Sequence, residues 1–575
     1  MKKTSITHIH IFSVFTIVLL CCLQIRSFDH IVVLDDEFGY WAHAISAAGY
    51  DWKDLISETP YYSWGYGIWL IPLIKILPTP ELWYKGAILL NVIFLLVSYC
   101  LCYKSGRKLF PQINNKIMGA ISLIVIIYPS NIIYAQIAWS ETLCYVLFWI
   151  ITYTVIRLDE NFSLRYFILL NVLLIYSYAV HNRNIGIILS IICSLILLLI
   201  KNQKGILYYL VSPLMLIIGY KGIDMVKMHQ INVLWSNSQN SSINNVGLDT
   251  TTINHYTSRI LNEVRLLSIS IWGKFFYLML SFGLLLPIVM IHSLKSFFTK
   301  LRSKTLFSNF SISRFSILLS SAAMFGICSL QTNQWSNRKD FLVYGRYMEN
   351  ALGPLLLLVL AEAILYNKEL KMTLIFSIIF LAVSIYPAYY YINKAESGFN
   401  SICSPFIGVF FRIINDTHIV FVLLSILTVI IFTILYLSAC SHNTQHKIMA
   451  ILLCIGLTYS CSGCILGFKS AESRKGYYEC TITIRDELTD NYPNQELYYI
   501  KNSSVDSSSM NPKYIQYSIP NRTIHVILPE EMETYLSQDV ILMANPNDTE
   551  TNTFLSSNGT RLIQSNYLLS VYYTK

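Results

Sequence analysis

Charge is scarce in this sequence. Asp, Glu, Lys and Arg together make up 13% of 575 residues, about half the share in an ordinary soluble domain, which excludes a water-soluble globule as the main architecture. The chain also lacks a glycine-rich phosphate loop and any Ser/His/Asp or Cys/His pattern with catalytic spacing. "CSGC" (Cys461 to Cys464) has the spacing of a zinc or redox pair. No second pair completes it, and it falls within an apolar run, so a metal role does not follow. Most of the thirteen cysteines lie in such runs, where a thiol is a small hydrophobe. Cys480 could pair with Cys403 in an oxidising compartment, although no spacing demands it.

What fills the chain instead is apolar: 54% of it is hydrophobic, arranged in runs of about 17–25 residues, the length that crosses roughly 30 Å of hydrocarbon. About thirteen spans are predicted, near 8–26, 82–103, 117–134, 139–156, 166–181, 184–200, 205–222, 266–292, 314–331, 349–366, 372–392, 418–439 and 448–467. The first lacks a small-residue cleavage site and reads as an anchor rather than a secretory signal. With Lys2 and Lys3 inside, every second loop is basic, from "YKSGRKLFPQINNK" to "SHNTQHK", as the inward bias of Lys and Arg requires. The net charge of +9 therefore reflects topology and gives no reason to expect a nucleic-acid partner. An odd number of spans puts loops 27–81 and 223–265 and the polar tail on the outer side.

Two domains are expected: a membrane domain over 1–470 and a small extracytoplasmic α/β domain over 471–575. In the tail, "YYECTITIRDEL", "ELYYIK", "YIQYSIP", "TIHVILP", "DVILMAN" and "YLLSVYYTK" read as strands, and "PEEMETYLS" as the start of a helix. Nothing there forms a catalytic pattern, so the tail reads as a binding or structural module.

The chemistry-bearing residues gather at the outer ends of the spans. "VLDDEFGYWAHAISAAGYDW" carries Asp35, Asp36 and Glu37 straight after the first span, and its apolar residues have helical spacing. Asp36, Tyr40, His43 and Ala47 then share one face, a carboxylate beside a phenol and an imidazole. The aromatic "ETPYYSWGYGIWLIPLIKILP" that follows is broken by Gly and Pro and reads as re-entrant or juxtamembrane. Glu141 opens the fourth span, where a carboxylate costs a few kcal/mol without a partner. Arg183 lies in a short outer turn, and Arg338, Lys339, Asp340, Arg346 and Glu349 precede or open a late span. Singly, Lys53, Lys339 or Glu349 reads equally well as an interfacial charge. Acids and arginines on one side of a membrane together describe a site for an anionic, lipid-borne substrate, since a guanidinium can hold a phosphate with two hydrogen bonds. Lys227, His229 and Arg259 in loop 223–265 are the other basic group.

"DEFGYWAHAISAAGYDW" resembles the Asp-Glu segment after the first span of GT-C glycosyltransferases, especially the aminoarabinose transferases of lipid A and the protein O-mannosyltransferases. "SETL", "GYG" and "YGRYMEN" with its following "GP" extend the likeness. The resemblance implies a polytopic enzyme transferring a sugar from a polyprenyl-phosphate to an acceptor outside the cytoplasm, an envelope glycan, lipid or protein. By that likeness Asp36 is the general base, Glu37 supports it or binds metal, and Glu141 is the second-loop acid. Asp35 makes the register between neighbouring acids ambiguous. Asp35, Tyr40, His43, Arg183, Arg338 and Arg346 are the expected substrate-binding residues. A divalent cation held by Asp36, Glu37 and Glu141 is compatible with the resemblance, whose members differ in metal dependence. A plasma-membrane location goes with it. A polysaccharide polymerase or ligase and a lipid-linked glycan transporter are the competing readings. A transporter would place its polar groups at the midplane of broken helices, and few charges lie inside these spans.

Overall fold

Two of the breaks between helices have a proline at the start of the second helix. Residues 2–235, 263–282, 285–302, 311–366, 370–392, 394–396, 398–414, 416–439, 444–506 and 511–574 are described by a computed structural model. Among them, nine helices are long and apolar enough to cross a membrane, or ten if the bent pair Asn115–Ile126 and Pro129–Ala135 forms one span. That pair covers the expected span 117–134 and turns by 58°. Tyr128 precedes Pro129, and the proline ring pushes it out of the helical region to φ −54°, ψ 138°. The expected span 266–292 is likewise two helices, Val264–Ser281 and Leu286–Arg302, with Pro287 in the first turn of the second. Leu164–Val180 is a shorter apolar helix, and Leu370–Ile392 and Thr417–Ala439, each of 23 residues, cover the expected spans 372–392 and 418–439. The first twelve residues of the expected loop 223–265 belong to the helix Ile206–Leu234, and residues 236–262 lie outside the described residues. Arg259 lies outside the described residues.

The two ends of the bundle differ in chemistry. At one end Lys108 pairs with Glu160 at 2.6 Å, and Asp159 holds Lys201 at 2.5 Å and the Ser313 hydroxyl at 2.7 Å. These are loops expected inside. Asp36, Glu141, Arg183 and Arg346 meet at the other end.

A single helix, Thr444–Asp490, joins the bundle to the tail. At 1.5 Å per residue, 47 residues span roughly 70 Å, more than twice the hydrocarbon thickness. The boundary expected at 470/471 therefore falls inside a helix, and "YYECTITIRDEL" is not a strand. Its β-branched residues misled the reading. Thr481, Thr483 and Thr489 bond back to carbonyls four residues earlier at 2.7–2.9 Å, and Lys475 pairs with Glu479 at i,i+4. "YIQYSIP" is also helical, as Pro512–Ser518 with Pro at its first position. The acids of "PEEMETYLS" open a 3₁₀ helix, Pro529–Tyr535.

Among the described residues five strands remain: β1 (Glu496–Ile500), β2 (Ile524–Ile527), β3 (Val540–Ala544), β4 (Arg561–Ser565) and β5 (Ser570–Thr574). Their order is β2-β1-β3-β5-β4, with β1 parallel to β2 and β3, and β5 antiparallel to β3 and β4. This domain grips the loop that follows the first span. Lys513 bonds Asp35 at 2.8 Å, Lys501 bonds Glu58 at 2.5 Å, and His525 meets Asp54 at 3.1 Å. The Trp52 indole donates to the Pro520 carbonyl at 3.0 Å, and Arg485 of the long helix bonds Glu81 at 2.8 Å.

Close helix approach fixes the strut. Gly463 faces the backbone of Pro129, and a Cβ there would lie 2.5 Å from that carbonyl oxygen. Gly463→Ala should therefore lower stability by about 1–3 kcal/mol, the usual penalty for overpacking. Gly222→Ala, where a Cβ meets nothing within 4 Å, should leave it unchanged or slightly higher. Thermal unfolding of the two purified variants checks the difference.

Candidate functional site

Helix starts build the site. Glu141 is the first residue of Glu141–Glu160, Arg346 the first of Arg346–Leu365, and Arg183 sits in the turn Asn182–Asn184 leading into Ile185–Lys201. Free N–H groups and helix dipoles at three such ends favour an anion. Glu141 answers first. One of its oxygens takes Arg346 Nε at 2.5 Å and an Arg183 terminal nitrogen at 3.2 Å. Glu141 and Arg183 are each 1% exposed. The Arg346 guanidinium lies over the Trp139 ring at 3.9 Å and that of Arg183 over Tyr347 at 4.9 Å, both cation–π contacts.

Asp36 completes the cluster from the helix Leu34–Ala48. Its Oδ2 meets an Arg346 terminal nitrogen at 2.6 Å, and its Oδ1 accepts from the Tyr62 hydroxyl. Gly39 makes the second contact achievable: the Tyr62 ring lies where a Cβ would be, 2.2 Å from Cδ2. The Asp36 side chain remains 18% exposed, the most open carboxylate of the cluster. Tyr62 escaped the sequence reading because it stands in an irregular stretch without periodicity.

Glu37 has a different role from the one expected. It is fully buried and points away from the arginines. One oxygen accepts from the N–H groups of Val32 and Val33, each at 2.7 Å, and the other from the Tyr84 hydroxyl at 2.6 Å and the Ala138 N–H at 2.8 Å. Burial pushes its pKa up to about 7, against the pull of those donors. Glu37 therefore ties the entry of its own helix to the segment that carries Trp139, Ser140 and Glu141.

The other expected ligands divide. Tyr40 shares a hydrogen bond with Ser140 at 2.6 Å, and its ring lies 5.0 Å from that of Tyr62. His43 donates from Nε2 to the Tyr62 carbonyl at 2.7 Å, and burial lowers its pKa to about 4, so the ring is neutral. Both position the segment bearing Tyr62. Asp35 turns instead to Lys513, and burial lowers the pKa of that lysine. Arg338 is bound bidentately by Asp340 at 2.8 and 2.5 Å and is not brought to Arg346. Glu349 is buried one turn after Arg346, accepting from Tyr134 at 2.7 Å and from Tyr277. Lys227 stands apart, over the Tyr61 ring.

Asp36, Glu37 and Glu141 do not fit a divalent cation as arranged here. The oxygens of Glu37 are filled by four donors, and Arg346 stands between the other two acids. Among the described residues no group of three or more His, Cys, Asp or Glu could hold a metal.

The four donors on Glu37 make its isosteric amide a sharp test. In Glu37→Gln the amide nitrogen must face either Val32 and Val33 or Ala138, donor against donor, leaving at least one buried N–H unpaired. The expected loss is about 1–3 kcal/mol per unpaired group, read as a lower unfolding midpoint.

No protein-family profile matches the sequence, and no curated protein matches it. Solved structures match its shape. The crystal structure of ArnT from Cupriavidus metallidurans bound to undecaprenyl phosphate is 11% identical, with a TM-score of 0.52 over 98% of this chain and 97% of that one. The apo form of ArnT gives the same values. The archaeal oligosaccharyltransferase AglB from Archaeoglobus fulgidus, in complex with an inhibitory peptide and a dolichol-phosphate, is 11% identical, with a TM-score of 0.44 over 95% of this chain and 70% of that one. The chain is a polytopic helical membrane protein with a small C-terminal α/β domain, and its fold is of the GT-C type.

Proposed function

We propose that the protein is a membrane glycosyltransferase that moves a sugar from a polyprenyl-phosphate to an acceptor on the outer side of the membrane, with inversion. The observation that carries this reading is the convergence of Arg183 and Arg346 with the partly exposed carboxylate of Asp36 at one end of a GT-C-type bundle. The solved structure of the same fold with undecaprenyl phosphate bound adds support.

Each group has a chemical task in this reading. Asp36 takes the proton of the acceptor hydroxyl as its oxygen attacks the anomeric carbon. The bond from that carbon to the phosphate oxygen breaks on the opposite side, and polyprenyl phosphate leaves with the electron pair. Arg346 and Arg183 hold the charge that develops on the leaving phosphate. Glu141 orients both guanidiniums, and Tyr62 orients the base.

The test supplies labelled polyprenyl-phosphate sugar to membranes and follows label passing from lipid to acceptor. Asp36→Asn should slow transfer by about 10²–10⁴-fold, the usual contribution of a positioned base, without loss of the protein from the membrane. Arg346→Ala should weaken donor use by roughly ten- to a hundredfold, as expected for the loss of a charge-assisted contact of about 1.5–3 kcal/mol. Arg346→Lys should restore only part of it, since an ammonium keeps the charge and loses the fork. Full turnover in Asp36→Asn would remove the catalytic reading.

A further inference from the structure

The cluster is short of acceptors. One Glu141 oxygen serves two guanidiniums, while Nε and one terminal nitrogen of Arg183 are buried with no hydrogen-bond partner among the described residues. The shortage is on the Arg183 side, since the second Glu141 oxygen is itself a buried acceptor with no donor among the described residues. Buried guanidinium nitrogens are rarely left so, and Glu141, Arg346 and Arg183 each stand at or just before a helix start. Arg183 thus has guanidinium donors left for another anion with several oxygens.

In this state the base is blocked. Asp36 gives one oxygen to Arg346 and the other to Tyr62. Each oxygen already has a donor, so an acceptor hydroxyl must compete with Arg346 or Tyr62 to reach the carboxylate. Two carboxylates and two guanidiniums balance, so an arriving phosphate diester leaves the cluster with three negative groups against two positive. One carboxylate must let go. Glu141 is 1% exposed and has no water to turn to, whereas the Asp36 side chain is 18% exposed and held to Arg346 by one contact.

We propose that donor phosphate displaces Asp36 from Arg346, so that binding of the donor itself frees the base. This rests on the reading of the site as one for a polyprenyl-phosphate sugar. The exchange forms no covalent bond: phosphate oxygens take the guanidinium donors, and Asp36 Oδ2 turns to the acceptor side while Oδ1 keeps its bond from Tyr62. Donor then precedes acceptor in an ordered reaction.

Because the ion pair competes with phosphate, removing the carboxylate should tighten phosphate binding. If the paired state holds about nine-tenths of the population, the gain is about tenfold. Undecaprenyl phosphate is titrated against the full-length protein in nanodiscs, with undecaprenol as the uncharged comparison. Asp36→Asn and Asp36→Ala should both bind the phosphate several-fold to tenfold tighter than wild type, and Arg346→Ala more weakly. Asp35→Asn removes the same charge one residue away, from Lys513, and should stay within about twofold if the effect is local rather than one of net charge. Wild type binding the phosphate, with both Asp36 variants equal or weaker, would overturn the exchange and leave the function reading standing. Wild type binding undecaprenyl phosphate no better than undecaprenol would overturn both.

Discussion

Two guanidiniums brought together at the end of a membrane bundle require a counter-charge, and Glu141 supplies it. An isolated ion there would cost several kcal/mol or more, and a guanidinium cannot shed its proton to escape. Glu141 is placed by being the first residue of its span, beyond Ser140 and Trp139, which themselves contact Tyr40 and Arg346. The same carboxylate sets the separation of Arg183 and Arg346, and Arg346 in turn reaches Asp36. A single buried acid thus determines where positive charge lies at the site.

The surrounding structure keeps that geometry fixed. Glu37 joins the acidic helix to the Ala138 backbone, Gly39 lets Tyr62 lie flat on the helix, and His43 holds the Tyr62 backbone. From outside, the C-terminal domain closes on the same loop through Lys513, Lys501 and His525. The long helix links these layers, since its glycine face packs on Pro129–Ala135, immediately before the segment that carries Glu141. Asp35 and Asp36, adjacent in sequence, are thereby separated in role: one anchors the domain and the other faces the arginines.

The membrane architecture was legible because hydrophobic length is a strong signal, and Asp36, Glu141, Arg183 and Arg346 were legible because charge at span ends is rare enough to stand out. The limits were equally physical. Glu37 looked like a partner of Asp36 because adjacency in sequence says nothing about the opposite directions in which neighbouring helical side chains point. Arg338 looked equivalent to Arg346, but Asp340 two residues on holds it through Nε and a terminal nitrogen. Tyr62 and Tyr84 carried no charge and no periodic pattern to reveal that they bond the two acids. The aromatic, β-branched composition of "YYECTITIRDEL" favoured strand, and continuity with a span prevailed.

A structure of the full-length protein in nanodiscs with undecaprenyl phosphate bound decides whether Arg346 and Arg183 form the phosphate seat from which Asp36 is released. Phosphate density is expected within hydrogen-bond distance of both guanidiniums, with Glu141 unmoved and the Asp36 carboxylate turned from Arg346 while still in contact with Tyr62. Phosphate bound elsewhere, with the Asp36–Arg346 pair intact, would contradict it.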